Sequence, residues 1–558
     1  MRMFSLGRVA ACGLFLLPLS VSAEEKASTS PASQPQAAAI DGAELFAREW
    51  LPGDARSHGG DGLGPVFNET SCVSCHNQGG AGGGGAASKN VEILTAFGNA
   101  GQAFGVAPSF NHTRAPAVVP QASFTPAQTL PSTPVTQPVP ANARTARQQR
   151  EQIARQQREA QKQQREQLIK LHPGFRNSKS VVLHRFGVDE KYDAWRRTMR
   201  SGNITPVPTS TSGFSPGVIR SGTIHVQPPV QQATFAVNPT NISSILTPMH
   251  QAMVEARNPT VRRQVGGMMM MISQRNTTAL FGVGQLDAIP DEVLLKAAER
   301  KFEDYPEITG RVSRLKNGRI GKFGWKAQIA SLEDFTLTAC AVELGLNVPE
   351  RPQAGVPHKP EYIPAGLDLT AEECNALTGY LKQLPQPKEI KSPNKQHAEF
   401  IAAGHKQFAR IGCAACHTKD LGEAQGVYSD LLLHDLGATL GDTGGSYGAF
   451  IPNESPDEPL PQSEGDEEDD DDIAEAPLPQ RVAEPLATQQ EWRTPPLWGV
   501  RDSAPYMHDG RAQTLEQAIA LHGGEATRSA QRYFALLPNE RQQVLAMLKS
   551  LTAPMDKD

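Results

Sequence analysis

The chain has 558 residues, a formal net charge of −5 and 20% charged residues. That length exceeds one ordinary domain and indicates two or more, each with enough chain to bury a core. The mild acidity leaves no electrostatic footprint for nucleic acid, and no hydrophobic run after the N-terminal segment could span a bilayer.

Residues 1–23, "MRMFSLGRVAACGLFLLPLSVSA", carry two arginines, a short apolar run and small residues ending at Val21-Ser22-Ala23. This is the form of a cleaved secretory signal, so the expected location is the periplasm. A lipoprotein reading through Cys12 fits less well, because the apolar stretch ahead of it is too short. Cleavage would leave Cys72, Cys75, Cys340, Cys374, Cys413 and Cys416 in an oxidising compartment.

From Gly42, "GAELFAREW" has helical apolar spacing and leads into Cys72-Val-Ser-Cys75-His76. The region 105–142 is Pro-rich with little periodicity and should be extended or disordered. The following Gln/Arg-rich run is a strong helix former with hardly any apolar stripe, expected to be a solvated helix. Met268 to Met271 would point all round a helix, which suits core or interface filling better than a haem-ligand or copper role. "ALTGYLKQLPQP" puts leucines at helical spacing before proline.

The pattern then begins again. "GHKQFARIG" repeats the Gly, three residues, Phe-Ala-Arg order and leads into Cys413-Ala-Ala-Cys416-His417, and "QQVLAMLKSLTAP" closes the chain as the earlier leucine helix did. Between them "SEGDEEDDDD", ending at Asp472, reads as a solvated acidic loop, with docking of a basic electron donor as the other reading. In C-x-x-C-H both thiols add to the vinyl groups of a haem and the histidine reaches the iron. A four-cysteine zinc site and two small disulfide loops are the alternatives. Zinc-ribbon pairs lie tens of residues apart rather than hundreds, and neither alternative needs a histidine directly after each pair.

These signals predict a mainly α fold with two cytochrome c-like domains and long loops. The first spans about residues 40–388 and carries a low-complexity insertion at about 101–170. The second spans about 392–555 and carries the acidic loop at about 453–482. Two covalently bound haem c groups are expected, attached at Cys72, Cys75, Cys413 and Cys416.

"DGLGPVFNETSCVSCHNQGG", "HPGFRNSKSVVLHRFG", "RNTTALFGVGQLDAIP", "GRIGKFGWKAQIASLE", "YSDLLLHDLG" and "RTPPLWGVRDSAPYMHDGRAQTLEQAIALHGGEA" together resemble the di-haem c-type oxidoreductases often labelled thiol oxidoreductases. That family is distantly related to the di-haem cytochrome c peroxidases and to the di-haem enzyme that matures the tryptophan-derived cofactor of methylamine dehydrogenase. The resemblance covers most of 41–100 and 170–555. It implies that His76 is the proximal ligand of a reacting haem and His417 that of an electron-relay haem. His522, eight positions after Thr514, would be the second ligand of the relay haem, with Met507 as the other candidate and His508 and Asp509 fixing the turn nearby.

On the reacting side the resemblance places a carboxylate at Glu343, where a base could move the proton that peroxide heterolysis requires. The relatives' glutamine falls on Phe335, and the spacing to the acid is two residues shorter. Trp325 resembles the tryptophan between the two haems of the peroxidases, with Lys326 and Gln328 in the same pocket. His434 and His184 suit hydrogen bonds near a propionate better than iron ligation. A disulfide between Cys340 and Cys374 is compatible with an exported protein, and calcium is a further candidate cofactor. The implied function is peroxidase-like reduction of peroxide or a related oxidant, fed by a small redox protein or a quinol-linked donor. A non-catalytic electron carrier and a di-haem enzyme oxidising a protein cofactor are the alternatives, and the histidine at 522, where the latter has tyrosine, argues mildly against it.

Overall fold

Two helix crossings repeat along the chain and frame everything else. The first joins α1 (Gly42–Ala47), whose N-terminus is capped by the Asp41 side chain, to a helix closing the first half. The computed structural model describes residues 40–99, 141–176, 178, 180–201, 203–205, 248–265, 268–315, 317–442 and 487–554. The expected signal peptide, Pro-rich stretch and acidic loop lie outside the described residues. Asp41–Asp558 is one compact unit, and the division expected near residue 390 falls inside it. Among the described residues no helix is long and apolar enough to cross a membrane.

The helices that position the site follow in order. The Gln/Arg-rich run lies in α2 (Ala141–Leu171), and α3 is Glu190–Ser201. Helix α4 (Leu332–Glu343) is capped by Ser331 and α5 (Ala371–Gln383) by a Thr370/Glu373 capping box. Helix α6 (Lys395–Arg410) starts at Asn394, α7 (Leu515–Ala520) carries a second capping box from Thr514 and Gln517, α8 is Thr527–Ala535, and α9 (Pro538–Ser550) begins on proline.

Helix α1 crosses α5 at Gly42, where a Cβ would stand 2.1 Å from the Ala376 carbonyl oxygen. Helix α6 crosses α9 at Gly404, where a Cβ would stand 2.1 Å from the Gln543 carbonyl oxygen. The glycine that opens each repeat is therefore the contact residue that lets two backbones approach. Phe46 and Phe408, the next repeated residues, are each buried in the core beside their crossing. One apolar cluster gathers Phe46, Trp50, Leu332, Leu377 and Leu381; another gathers Phe408, Tyr533, Val544, Met547 and Leu548.

The main departure from a mainly helical expectation is a five-stranded antiparallel sheet. Its strands are β1 (Val91–Asn99), β2 (Ser180–Val182), β3 (Asn203–Thr205), β4 (Val261–Val265) and β5 (Met268–Arg275), in the order β2-β1-β5-β4-β3. Met268 to Met271 thus lie on a strand, not a helix. Their expected core-filling role holds, because Met268 and Met270 pack with Leu94, Val181, Phe175 and Ile272. Two glycines directly ahead of the methionines weaken helix formation, and β5 is paired along both edges, with Leu94 opposite Ile272 on one side and Val261 opposite Ile272 on the other. A short ladder, β6 (Leu433–Asp435) with β7 (Glu491–Arg493), completes the elements around the site.

The helix crossings give a direct test. Gly404→Val should lower stability by about 1–3 kcal/mol, the usual range for forcing extra atoms into a closed contact, and Gly42→Val should act in the same direction. Denaturant unfolding followed by circular dichroism measures this, and an unchanged midpoint in both variants would show that the crossings are held elsewhere.

Candidate functional site

Both Cys-x-x-Cys-His segments fold into the same turn. The His76 amide donates to the Cys72 carbonyl at 3.0 Å and the His417 amide to the Cys413 carbonyl at 2.9 Å. Each imidazole then meets the phenylalanine of its own repeat: Phe46 and His76 have ring centres 6.4 Å apart at 46°, and Phe408 and His417 are 6.4 Å apart at 52°. The sequence repeat is therefore a geometric repeat.

The Nδ1 side of each imidazole is fixed by backbone oxygen. His76 Nδ1 donates to the carbonyls of Gly83 at 3.2 Å and Thr278 at 3.1 Å. His417 Nδ1 donates to the Tyr428 carbonyl at 3.0 Å, and His522 Nδ1 to the Ala518 carbonyl at 2.7 Å. Carbonyls only accept, so the proton sits on Nδ1 and Nε2 keeps its lone pair. None of the three Nε2 atoms has a hydrogen-bond partner among the described residues. Enclosure by protein holds His76 and His417 down at about 4 and His522 below the usual imidazole range, so all three are neutral at pH 7. Neutral imidazoles with a free Nε2 and an anchored Nδ1 are what a metal requires of histidine.

His417 and His522 have ring centres 6.4 Å apart with their planes at 58°. A metal–nitrogen bond of about 2.0 Å on each side plus half a ring puts two trans imidazole centres roughly 6.3 Å apart. With Cys413 and Cys416 beside them, these residues are of the kind that would hold a haem whose metal takes both Nε2 atoms. A cavity of about 260 Å³ opens here, lined by Cys413, Cys416, His417, His522, Trp325 and Phe335 among others, with apolar walls suited to a porphyrin. Met507 also lines it, with a φ of 72° on the turn before the Asp509–Arg511 ion pair. His508, behind Met507, has neither ring nitrogen hydrogen-bonded and is stacked on Trp492 at 3.6 Å between ring centres.

A three-residue crosspiece leaves β5 and reaches both sites. Thr278 supplies a carbonyl to His76, the Asn276 carbonyl accepts from Trp325 Nε1 at 3.0 Å, and the Asn276 amide donates to the His508 carbonyl at 2.7 Å. Trp325 is thereby pinned between the backbone that holds His76 and the cavity wall near His417. Lys326 and Gln328 do not line that cavity: Lys326 Nζ lies 3.5 Å from the Trp492 ring centre and donates to the Glu491 carbonyl, while Gln328 accepts from the Lys326 amide.

The first site is arranged differently. Glu343, at the end of α4, accepts from Asn68 Nδ2 at 2.7 Å and lies close to the first cysteine pair, where its charge adds to the burial that pushes the Cys72 and Cys75 thiols up to about 12. Phe335 faces the cavity and packs against Phe323, ring centres 6.1 Å apart. His184 is buried with Nε2 donating to the Val342 carbonyl at 2.7 Å. Cys340 and Cys374 are buried free thiols. Among the described residues no group of three or more His, Cys, Asp or Glu side chains is placed to hold a metal ion. The glycines after His76 serve the histidine: Gly82 donates to the His76 carbonyl and Gly83 accepts from its ring. The carbonyl acceptors at Thr278 and Tyr428 carry no side-chain signal that sequence reading could have found.

His434 is held between two carboxylates, with Nδ1 2.8 Å from Glu525 and Nε2 3.1 Å from Asp430. Burial alone would push its pKa down, but Cys416 and Asp430 carry it well above the usual value, and two carboxylate acceptors require both nitrogens to be protonated. A raised folded-state pKa contributes stability that is present below about 6.5 and is lost as pH rises through the folded value. Thermal melts across pH should show this alkaline loss, and His434→Gln should flatten it while lowering stability at neutral pH; a parallel pH profile in the variant would refute the assignment.

Residues 477–551 match the family model described as "Di-haem oxidoreductase, putative peroxidase". No curated protein matches the chain. Among solved structures, the chain is similar to Kuenenia stuttgartiensis hydrazine synthase pressurized with 20 bar xenon, at 20% identity over 50% of this chain and 73% of that one, with a TM-score of 0.26. It is also similar to a MauG-like protein associated with microbial copper homeostasis, at 17% identity over 48% of this chain and 90% of that one, with a TM-score of 0.23. The matched stretch, residues 477–551, carries Met507, His508 and His522.

Proposed function

We propose that this protein is an exported, periplasmic di-haem c oxidoreductase with peroxidase-like activity. The observation that carries it is the duplicated Phe–His geometry at the two Cys-x-x-Cys-His turns, together with the neighbouring His417 and His522 rings. On this reading Cys72 and Cys75 hold one haem with His76 as ligand, and Cys413 and Cys416 hold the other between His417 and His522. The two crossings at Gly42 and Gly404 are then the terminal-helix contacts of two cytochrome c-like domains, about 40–388 and 392–555.

Bound haem supplies one-electron chemistry at each site. The chain's part is to orient and to move protons. Electrons from a small redox protein or quinol-linked donor enter at the His417 side and pass toward His76. Trp325 provides the aromatic path, its indole fixed by the Asn276 carbonyl so that it keeps one orientation. The Glu343 carboxylate takes a proton from one peroxide oxygen and returns it to the leaving oxygen, while Asn68 holds one of its oxygens in place.

Electron paramagnetic resonance and optical spectra of the holo-protein test the core of the proposal. The expected result is one six-coordinate low-spin haem and one that changes state on half-reduction and reacts with peroxide; two haems that stay six-coordinate and low-spin would overturn it. His522→Met should raise the midpoint potential of the second haem and leave the first unchanged, since thioether ligation favours the reduced iron.

A carrier without chemistry of its own is the second reading, favoured by the apolar Phe335–Phe323 pair at the cavity. Glu343→Gln separates the two. Under the peroxidase reading kcat/KM for peroxide falls by about 10²–10⁴, the usual worth of a positioned acid–base group. Unchanged turnover across pH in a variant with both haems attached would favour the carrier or another base.

A further inference from the structure

The cavity contains a buried positive charge that has no counter-ion among the described residues. Arg493, on β7, is 7% exposed and lines the cavity. Its Nε donates to the Gly324 carbonyl at 2.9 Å and its Nη1 reaches the Thr494 carbonyl at 3.4 Å. Nη2 has no partner among the described residues, and no carboxylate pairs with the guanidinium.

Other buried arginines show what the fold ordinarily does with such a charge. Arg275 is paired with Asp442 at 2.5 Å, Arg511 with Asp509 at 2.6 Å and Arg351 with Asp334 at 3.0 Å. Lys322, the other cation on the cavity wall, donates to the Ile289 carbonyl at 2.5 Å and lies 3.5 Å from Asp291. A guanidinium cannot discharge its cost by losing a proton at physiological pH, so an unpaired one inside protein is expensive. Burial alone pulls Arg493 down to about 10, with no neighbouring charge offsetting it.

We propose that Arg493 is the anchor for an anionic carboxylate of the cavity's occupant, a propionate of a covalently bound haem. The guanidinium's planar fork suits a carboxylate, and the two backbone carbonyls fix its orientation before the carboxylate arrives. Its place on the wall is set by the backbone: the Arg493 amide donates to the Trp325 carbonyl at 3.0 Å, and Leu433 lies opposite it across the ladder. Arg493 is thus a positioning residue, compensating charge beside the electron path rather than reacting. The inference rests on the haem reading above.

The test uses the holo-protein and variants Arg493→Gln and Arg493→Lys. Haem content is measured first, by the reduced pyridine spectrum, and then the midpoint potentials are followed across pH. A propionate that loses its cation in a low-dielectric site holds its proton more tightly, so Arg493→Gln should lower one midpoint potential and make it newly pH-dependent near neutrality. Arg493→Lys keeps the charge and should keep the wild-type profile. Loss of haem attachment in the glutamine variant, restored in the lysine variant, would support the charge requirement by another route. Wild-type potentials and pH profiles in a fully loaded glutamine variant would overturn the inference while leaving the di-haem reading intact. Failure of both variants to load would also overturn it, assigning Arg493 to its backbone hydrogen bonds alone. A wild-type chain that binds no covalent haem would defeat both readings together.

Discussion

The hydrogen bond from a histidine Nδ1 to a backbone carbonyl is the constraint on which the arrangement turns. An imidazole can present Nε2 to a metal only if its other nitrogen holds the proton, and a carbonyl enforces that tautomer without bringing a charge. At His76 the carbonyls come from Gly83 and Thr278, so a glycine loop and the exit of β5 must both close on one ring. The sheet earns its place here. Its central strand delivers Asn276, Thr277 and Thr278 to the junction, where one carbonyl fixes His76, the next but one fixes Trp325, and the Asn276 amide ties the His508 turn. Two sites far apart in sequence thus share one rigid backbone segment.

The two sites differ in what faces the histidine. His417 has a second histidine, His522, with its ring centre 6.4 Å away. For His76, no such ring contact with a second histidine occurs among the described residues; the nearby aromatic is Phe46, and buried His184 is turned to the Val342 carbonyl. On the proposed reading this asymmetry separates an electron relay, whose axial positions are both taken, from a site with room for an oxidant. Glu343 is restrained by Asn68 beside the cysteines, which keeps a carboxylate near the first site at a fixed angle.

Much of this was legible in the sequence because it rests on local chemistry. C-x-x-C-H needs adjacent residues, and the Gly-to-Phe-Ala-Arg spacing keeps the glycine at a helix crossing and the phenylalanine against the imidazole. The position of His522 after Thr514 is set by one helix, α7, whose capping box fixes where it begins. The sheet was not legible. Met268 to Met271 carry no β-branched signal, and their partner β1 lies far upstream across the Pro-rich and Gln/Arg-rich segments. Nor could side-chain patterns announce Thr278 or Tyr428, which act through carbonyls. Arg493 sits within a stretch that carried the family resemblance, yet only its burial and lack of a carboxylate distinguish it from any other arginine.

These features bear on how the chain reaches its folded state. The cavity of about 260 Å³ is walled mainly by apolar side chains. Beside it, among the described residues, the Nε2 atoms of His417 and His522 have no hydrogen-bond partner and the Arg493 guanidinium pairs with no carboxylate. An occupant with apolar faces, a metal that accepts Nε2 and a carboxylate that meets Arg493 would satisfy His417, His522 and Arg493 together. On the proposed reading, the groups that bind the cofactor also complete the core, so that cofactor attachment would stabilise the fold.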